Sequence, residues 1–191
     1  GVQIDLTQHP GIKLPNSTDM SSLEKHFNCT FQGTADDNCL FHAFAFYANQ
    51  NGITAQTLRQ QACDHMAQNT QHFQNFFVKP APAPDNAQAL TQHLKTMRCS
   101  GQWAGEPELQ ALQQAMNIDV VIIDAWGRAA NHRVLSNEKN DRVKYIVLCY
   151  DKRHYWHIPQ TNPIHPDIQQ IKNGVQIDLT QHPGIKLPNS T

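Results

Sequence analysis

No apolar run among the 191 residues approaches the roughly 20 that a membrane-spanning helix needs, and no secretory signal opens the chain. A membrane partner is therefore not expected. An excess of one charge is lacking as well: 15 Lys and Arg stand against 16 Asp and Glu, a formal net charge of −1. That balance gives no basic surface for nucleic acid or for an anionic bilayer. The five cysteines, Cys29, Cys39, Cys63, Cys99 and Cys149, are odd in number and include no Cys-x-x-Cys pair. This argues against a disulfide framework and for a reducing, cytoplasmic compartment. Metal-ligand spacing is equally sparse. His154-x-x-His157 and Cys63-x-His65 come closest, and neither has a matching second pair, so no metal and no cofactor is expected.

What the chain does contain is an exact repetition. GVQIDLTQHPGIKLPNST occupies residues 1–18 and recurs as residues 174–191. The period is the size of a domain, which excludes a solenoid and leaves a tandem array of domains or an engineered duplication. Residues 1–18 are expected to be peripheral, 19–173 to form one domain, and 174–191 to begin a second unit or repeat the first segment. Val2, Ile4 and Leu6 alternate as in a strand before Pro10 and Pro15 break the segment, so either copy could pair with a sheet edge.

Between the copies, helices and strands alternate. Residues 19–27 fit a helix capped by Asp19 or Ser21, with Leu23 and Phe27 on one face. From Cys39 to about Asn49 the apolar residues leave almost no polar face, which predicts a central, buried helix. Thr54 caps a helix carrying Leu58, Ala62 and Met66. Phe73, Phe76 and Phe77 read as core. Lys79–Pro84, with alternating prolines, reads as a stiff extended spacer. Asp85 or Asn86 caps a helix with Ala87, Leu90, Leu94 and Met97 inward, and Pro107 suits the first turn of another, with Leu109, Leu112 and Met116 buried. Ile118–Ile123 reads as a buried strand, residues 125–140 as a polar, turn-rich connection with turns at Gly127 and Asn137, Val143–Tyr150 as a second strand, and His154–Ile158 as the start of a third. Such alternation implies an α/β or α+β domain in three layers.

The chemistry is concentrated at Gly33–Phe44, a polar turn running straight into the apolar helix. With Asp37 or Asn38 as N-cap, Cys39 falls in the first helical turn, where unpaired N–H groups and the dipole favour an anion. A thiol there is expected to have its pKa lowered from about 8.5 and to serve as a nucleophile near neutral pH. It would need a proton acceptor and a group to hold that acceptor's ring.

Asp36-x-Asn38-Cys39-Leu40-Phe41-x-Ala43 resembles the nucleophile motif of the ovarian-tumour (OTU) family of cysteine proteases, which remove ubiquitin. Trp103-Ala104-Gly105 followed by Glu108-Leu109-Gln110-Ala111-Leu112 and an apolar strand resembles a second family segment, in which the tryptophan usually precedes two glycines. His154-Tyr155 resembles the motif that supplies the family's catalytic histidine. The resemblance implies a papain-type fold, a small central sheet sandwiched by helices. It implies Cys39 as nucleophile, His154 as base, an oxyanion held by backbone N–H groups of Asp36–Cys39 with Asp37 and Asn38 among them, and Tyr155 and Trp156 lining the channel for the substrate's Gly-Gly tail. Two residues after the histidine the family often has Asp or Asn, and this chain has Trp156. The orienting role then falls to Asp36, to His157 from the opposite face, or to no residue at all. His157 is also the alternative base, since alternation puts His154 and Trp156 on one face and Tyr155 and His157 on the other.

The implied activity is hydrolysis of the isopeptide bond at the C-terminal glycine of ubiquitin through a thioester. The implied partner is ubiquitin, a polyubiquitin chain or a ubiquitin-like modifier. The rival expectation is an inactive OTU-fold module that binds ubiquitin without cutting it. The wealth of Gln, Asn and His fits an effector that a bacterium or virus places in host cytosol.

Overall fold

The computed structural model describes residues 17–48, 52–77, 85–125, 131–137, 144–161 and 163–179. The first terminal copy, the Lys79–Pro84 spacer and the turn expected at Gly127 lie outside this set, apart from Ser17 and Thr18. The described elements are α1 (Ser17–Phe27), α2 (Cys39–Ala48), α3 (Ala55–Gln68), α4 (Thr70–Phe73) with a 3-10 turn behind it, α5 (Asn86–Met97), α6 (Glu106–Met116), β1 (Asp119–Asp124), β2 (Asn131–Leu135), β3 (Tyr145–Tyr150), β4 (Tyr155–His157) and α7 (Pro166–Lys172).

Local signals account for most boundaries. The Thr54 hydroxyl accepts the Thr57 N–H at 3.1 Å and starts α3. The Asp85 carboxylate accepts the Gln88 N–H at 2.8 Å and starts α5. At α6, Pro107 occupies the first turn, Glu108 reaches back to the Gly105 N–H at 2.8 Å, and Asn117 ends the helix in the left-handed region, with φ 51°. α1 already runs from Ser17, so Asp19 and Ser21 lie inside it and do not cap it. In α5 it is Ala89 that turns inward beside Leu90, Leu94 and Met97, while Ala87 is exposed.

The sheet has the order β2-β1-β3-β4. β1 and β3 run parallel at its centre, with Val121 beside Val147, and β2 and β4 flank them antiparallel. β2 occupies part of the stretch read as turn. Its residues are exposed or half-buried, so the apolar run that marks a central strand is missing, and pairing with β1 makes the strand.

Strict alternation along β1 and β3 builds two cores. Val120, Ile122, Ile146 and Leu148 face a layer containing Cys39, Phe41, Phe44, Leu58, Met66, Leu90, Leu109 and Leu112 from α2, α3, α5 and α6. Val121, Ile123, Val147 and Cys149 face Leu23 and Phe27 of α1 and Ile168 and Ile171 of α7. The architecture is the expected α/β/α sandwich with a small central sheet.

The second terminal copy is described as far as Leu179. Its Val175, Ile177 and Leu179 become more buried in turn and form no strand: Val175 is exposed, Ile177 packs at the edge of the second core, and Leu179 is fully buried. Its attachment to β2 runs through the His132 side chain, whose Nε2 lies 2.9 Å from the Ile177 N and 3.1 Å from its carbonyl oxygen. Leu179→Ala is expected to lower unfolding free energy by about 2–4 kcal/mol in urea titration. A change below about 0.5 kcal/mol, the size of an ordinary surface substitution, would contradict this packing.

Candidate active site

The polar turn before α2 is made by its own side chains. Asp36 Oδ1 accepts from the Thr34 hydroxyl at 2.8 Å and from the Asn38 N–H at 2.9 Å, and the Asp36 carbonyl accepts the Cys39 N–H at 3.2 Å. Asp36 is therefore a turn-former here, and its hydrogen bonds do not go to His154. Its other oxygen stands 3.8 Å from His42 Nε2 on the open surface, a contact worth little. The Asn38 and Cys39 amides expected to face an oxyanion are occupied within the turn. Asp37 N–H has no such partner among the described residues.

Asn38 begins the helix through its carbonyl, which accepts the His42 N–H at 3.0 Å, but its side chain is no cap. Asn38 Oδ1 accepts from Arg59 Nη2 at 2.6 Å and from the Gly101 N–H at 2.9 Å. Arg59, on α3, is fully buried. Its guanidinium also donates to the Met97 carbonyl and the Gln102 carbonyl, each at 2.9 Å, and lies 4.4 Å from the centroid of the Phe41 ring. One cation thus fastens the turn before Cys39 to the end of α5 and to the Gln102–Trp103 segment. An arginine between Leu58 and Gln60 on an amphipathic helix carries no sequence mark of this role. Only the carbonyls left over at the end of α5 and in the following loop make burial favourable. Arg59→Met, which keeps the stem and removes the fork, is expected to destabilise the protein by about 3–5 kcal/mol in chemical denaturation. A loss under 1 kcal/mol would contradict the clamp.

Two contacts bring the nucleophile turn onto β4. Gln32 and His157 exchange backbone hydrogen bonds of 2.7 and 2.6 Å, an isolated antiparallel bridge just before the turn. The Tyr155 N–H then points at Cys39 Sγ, 3.4 Å away. Between them, Gly33 lies against Trp156: a Cβ there would meet the indole ring at 3.0 Å, tighter than most real Cβ contacts, so the ring would have to give way. The sulfur therefore lies against the backbone of the residue that follows His154.

The four residues from His154 to His157 divide as alternation predicts. Tyr155 is buried in the core layer that holds Cys39 and stacks on Tyr150 at 4.3 Å between centroids. His154 and Trp156 pack edge to face at 6.2 Å, and Trp156 also touches the second core. His157 stacks on Phe46, 5.6 Å between centroids. Phe46 is two turns along α2 from Cys39, about 10 Å of helix rise, which sets the His157 ring well down the helix from the thiol.

Burial governs the protonation of these groups. It pushes the Cys39 thiol up to about 11, against the N–H groups of Tyr155 and Leu40, which favour the thiolate; Asp36 and Asp151 add to the rise. The expectation of a thiol lowered by the helix N-terminus is thus overturned: the side chain is only 1% exposed, and desolvation outweighs the local amides. Burial likewise lowers the His154 pKa, with Asp151, Asp36 and Asp37 opposing and Arg153 assisting. It lowers His157 to about 4. Both shifts favour the uncharged forms, the thiol of Cys39 and the imidazole of His154. At pH 7.5 iodoacetamide is expected to modify Cys39 slowly, with the rate rising about tenfold per pH unit toward pH 10. A rate flat from pH 6 upward would instead reveal a standing thiolate–imidazolium pair.

Among the described residues, one group could hold a metal ion: His26, His165 and Asp167, whose ligand atoms lie within 4.8 Å of one another. It belongs to α1 and α7 on the opposite face of the sheet, and His26 Nε2 is already 2.7 Å from Asp167 Oδ2. Neither pair weighed from spacing forms such a group.

The profile of a family described as OTU-like cysteine protease matches residues 34–155, from five residues before Cys39 to one after His154. Ovarian tumor domain-containing deubiquitinating enzyme 7 of Arabidopsis thaliana is 30% identical over 131 residues, which cover 65% of this chain and 31% of that protein. The chain thus spans less than a third of that relative. Among solved structures, the OTUD1 OTU domain superposes with a TM-score of 0.59 at 21% identity, covering 74% of this chain and 94% of that one. An OTU deubiquitinase from Wolbachia pipientis wMel, bound to ubiquitin, superposes with a TM-score of 0.53 at 17% identity, covering 70% and 96%. At these identities the structural likeness is one of fold. The profile match extends over more than half of the chain, and with the sheet and helices in the same arrangement it makes this protein a member of the OTU-like cysteine protease family.

Proposed function

We propose that the chain is a cysteine-type deubiquitinase that hydrolyses the isopeptide bond at the C-terminal glycine of ubiquitin, with Cys39 as nucleophile and His154 as base. The observation that carries this reading is the 3.4 Å contact from the Tyr155 N–H to Cys39 Sγ, which puts the thiol beside the residue following His154. Family membership supports the reaction class, and the ubiquitin-bound neighbour supports the choice of partner.

From neutral partners the first step is concerted. The Cys39 S–H proton passes to a ring nitrogen of His154 while the sulfur bonds to the glycine carbonyl carbon, and the carbonyl oxygen becomes an oxyanion. The Asp37 N–H, which has no partner in the resting turn among the described residues, is the donor we assign to that oxyanion. The imidazolium returns its proton to the departing lysine amine as the C–N bond breaks. Water, deprotonated by His154, then cleaves the thioester and restores the thiol. Tyr155 contributes its N–H and its packing. Asn38, tied to Arg59, holds the turn. Five free thiols among the described residues suit a reducing compartment, and we place the reaction in cytosol.

Trp156 in the orienting position and the protonated resting thiol favour the second reading, a module that binds ubiquitin without turnover. A fluorogenic ubiquitin substrate and a ubiquitin probe with a C-terminal electrophile separate the two. The enzyme is expected to turn over the first and to be labelled at Cys39 by the second. Cys39→Ala abolishes both, His154→Ala lowers turnover by about 10²–10⁴-fold, and His157→Ala changes it by less than about threefold. Ubiquitin binding with neither turnover nor labelling would establish the module instead, and reaction only with a ubiquitin-like probe would move the substrate to that modifier.

A further inference from the structure

The structure shows no side chain hydrogen-bonded to His154 Nδ1 among the described residues: that buried nitrogen has no partner. The ring is held by other means, and they converge on one carboxylate. We propose that Asp151 and Trp156 together are the positioning residues for His154, in place of the Asp or Asn expected two residues after it. The inference rests on the deubiquitinase reading above.

Asp151 is 3% exposed. Its Oδ1 accepts from the His154 N–H at 2.7 Å and from the Arg153 N–H at 2.9 Å, and its own N–H donates to the His154 carbonyl at 3.2 Å. These bonds close the connection Asp151–His154 between β3 and β4, with Lys152 and Arg153 at its tip. Lys152 sits there at φ 76°, a conformation that such loops normally assign to glycine. A lysine is kept in the left-handed region at the residue pair preceding the base, and the Asp151 carboxylate is what holds the turn shut.

The second oxygen does different work. Asp151 Oδ2 accepts from the Trp156 indole Nε1 at 3.2 Å. That bond sets the indole edge to face against the imidazole, and Gly33 leaves room on another side of the ring, 3.0 Å from the place a Cβ would occupy. The His154 backbone is thus fixed by Oδ1 and its ring is flanked by a plate fixed by Oδ2. Trp156, assigned from the sequence to a substrate channel, becomes part of the support for the base. The charges around the ring are Asp151, Asp36 and Asp37, which favour the imidazolium, and Arg153, which opposes it. Asp151 also opposes the Cys39 thiolate. Its field therefore favours a proton on the ring and disfavours a free thiolate, which suits a transfer that proceeds together with S–C bond formation.

The test uses the whole chain and steady-state turnover of a fluorogenic ubiquitin substrate between pH 5 and 9, with thermal unfolding recorded for each variant. Asp151→Asn keeps one acceptor but turns an amide N–H₂ toward the indole N–H. It is expected to lower kcat about 10–100-fold with KM within about twofold, and to move the acid limb to lower pH as the imidazolium loses its carboxylate. Trp156→Phe keeps an aromatic ring but removes the indole N–H together with part of the ring surface, and is expected to lower kcat about 3–10-fold. Trp156→Asp in the Asp151→Asn background restores an acceptor at the family's usual position, and kcat is expected to recover by about fivefold or more. If Asp151→Asn does not fold, Trp156→Phe decides alone. Folded variants with kcat and pH profile within about twofold of the native protein would overturn the proposal, as would losses that track unfolding temperature without rescue. Turnover that survives Cys39→Ala would overturn the underlying reading instead, so the two failures are distinguishable.

Discussion

The hydrogen bond from the Tyr155 N–H to Cys39 Sγ, together with the Gln32–His157 bridge beside it, joins the two halves of the site. Cys39 and His154 are separated by more than a hundred residues that include three of the four sheet strands and most of the helices. Nothing local brings Cys39 to the residue that follows His154. The sheet does: β3 lies parallel to β1 at its centre, β4 folds back from β3 through the short connection Asp151–His154, and the nucleophile turn adds itself to β4 as one further rung. Each of these pairings fixes register, and a slip of one residue on β4 would exchange the faces of His154 and His157.

Joining the turn to the sheet places the thiol in an apolar layer, and that placement decides its resting state. The amides at the start of α2 and on β4 favour the thiolate, but a sulfur only 1% exposed loses more to desolvation than they return. Burial also lowers the His154 pKa and so favours its neutral ring. Arg59 shows the opposite solution to the same problem: a fully buried cation made acceptable by three carbonyl-type acceptors and an aromatic face. The buried Nδ1 of His154 is left without a partner among the described residues.

Much of this was legible in the residues. The unbroken apolar run after Cys39 specified a buried helix, Thr54 and Asp85 specified starts, and the alternation at His154–His157 divided the two faces correctly. The alternating apolar residues of β1 and β3 specified a covered central sheet. What escaped has a common physical cause, in that each feature depends on a partner remote in sequence. β2 is a strand only because β1 offers an edge. Arg59 is buried only because carbonyls from two other segments surround it. The thiol's pKa follows from the layer packed over it and not from the helix mouth alone. Asp151 reads as an ordinary turn residue until the indole of Trp156 is seen to reach back to it. The terminal copy shows the converse. Its alternation reads as a strand, yet Ile177 and Leu179 are drawn into a core with no ladder to join.

The account stands most directly on the seam between the nucleophile turn and β4, and amide hydrogen exchange followed by NMR reads it residue by residue. The Gln32, Tyr155 and His157 amides should exchange as slowly as those of β3, and the Tyr155 amide alone should speed up when Cys39 is replaced by alanine. If the Tyr155 and Gln32 amides exchange at the rate of an open loop while β3 stays protected, the turn is not fastened to the strand, and the approach of Cys39 to the residue after His154 has no structural support.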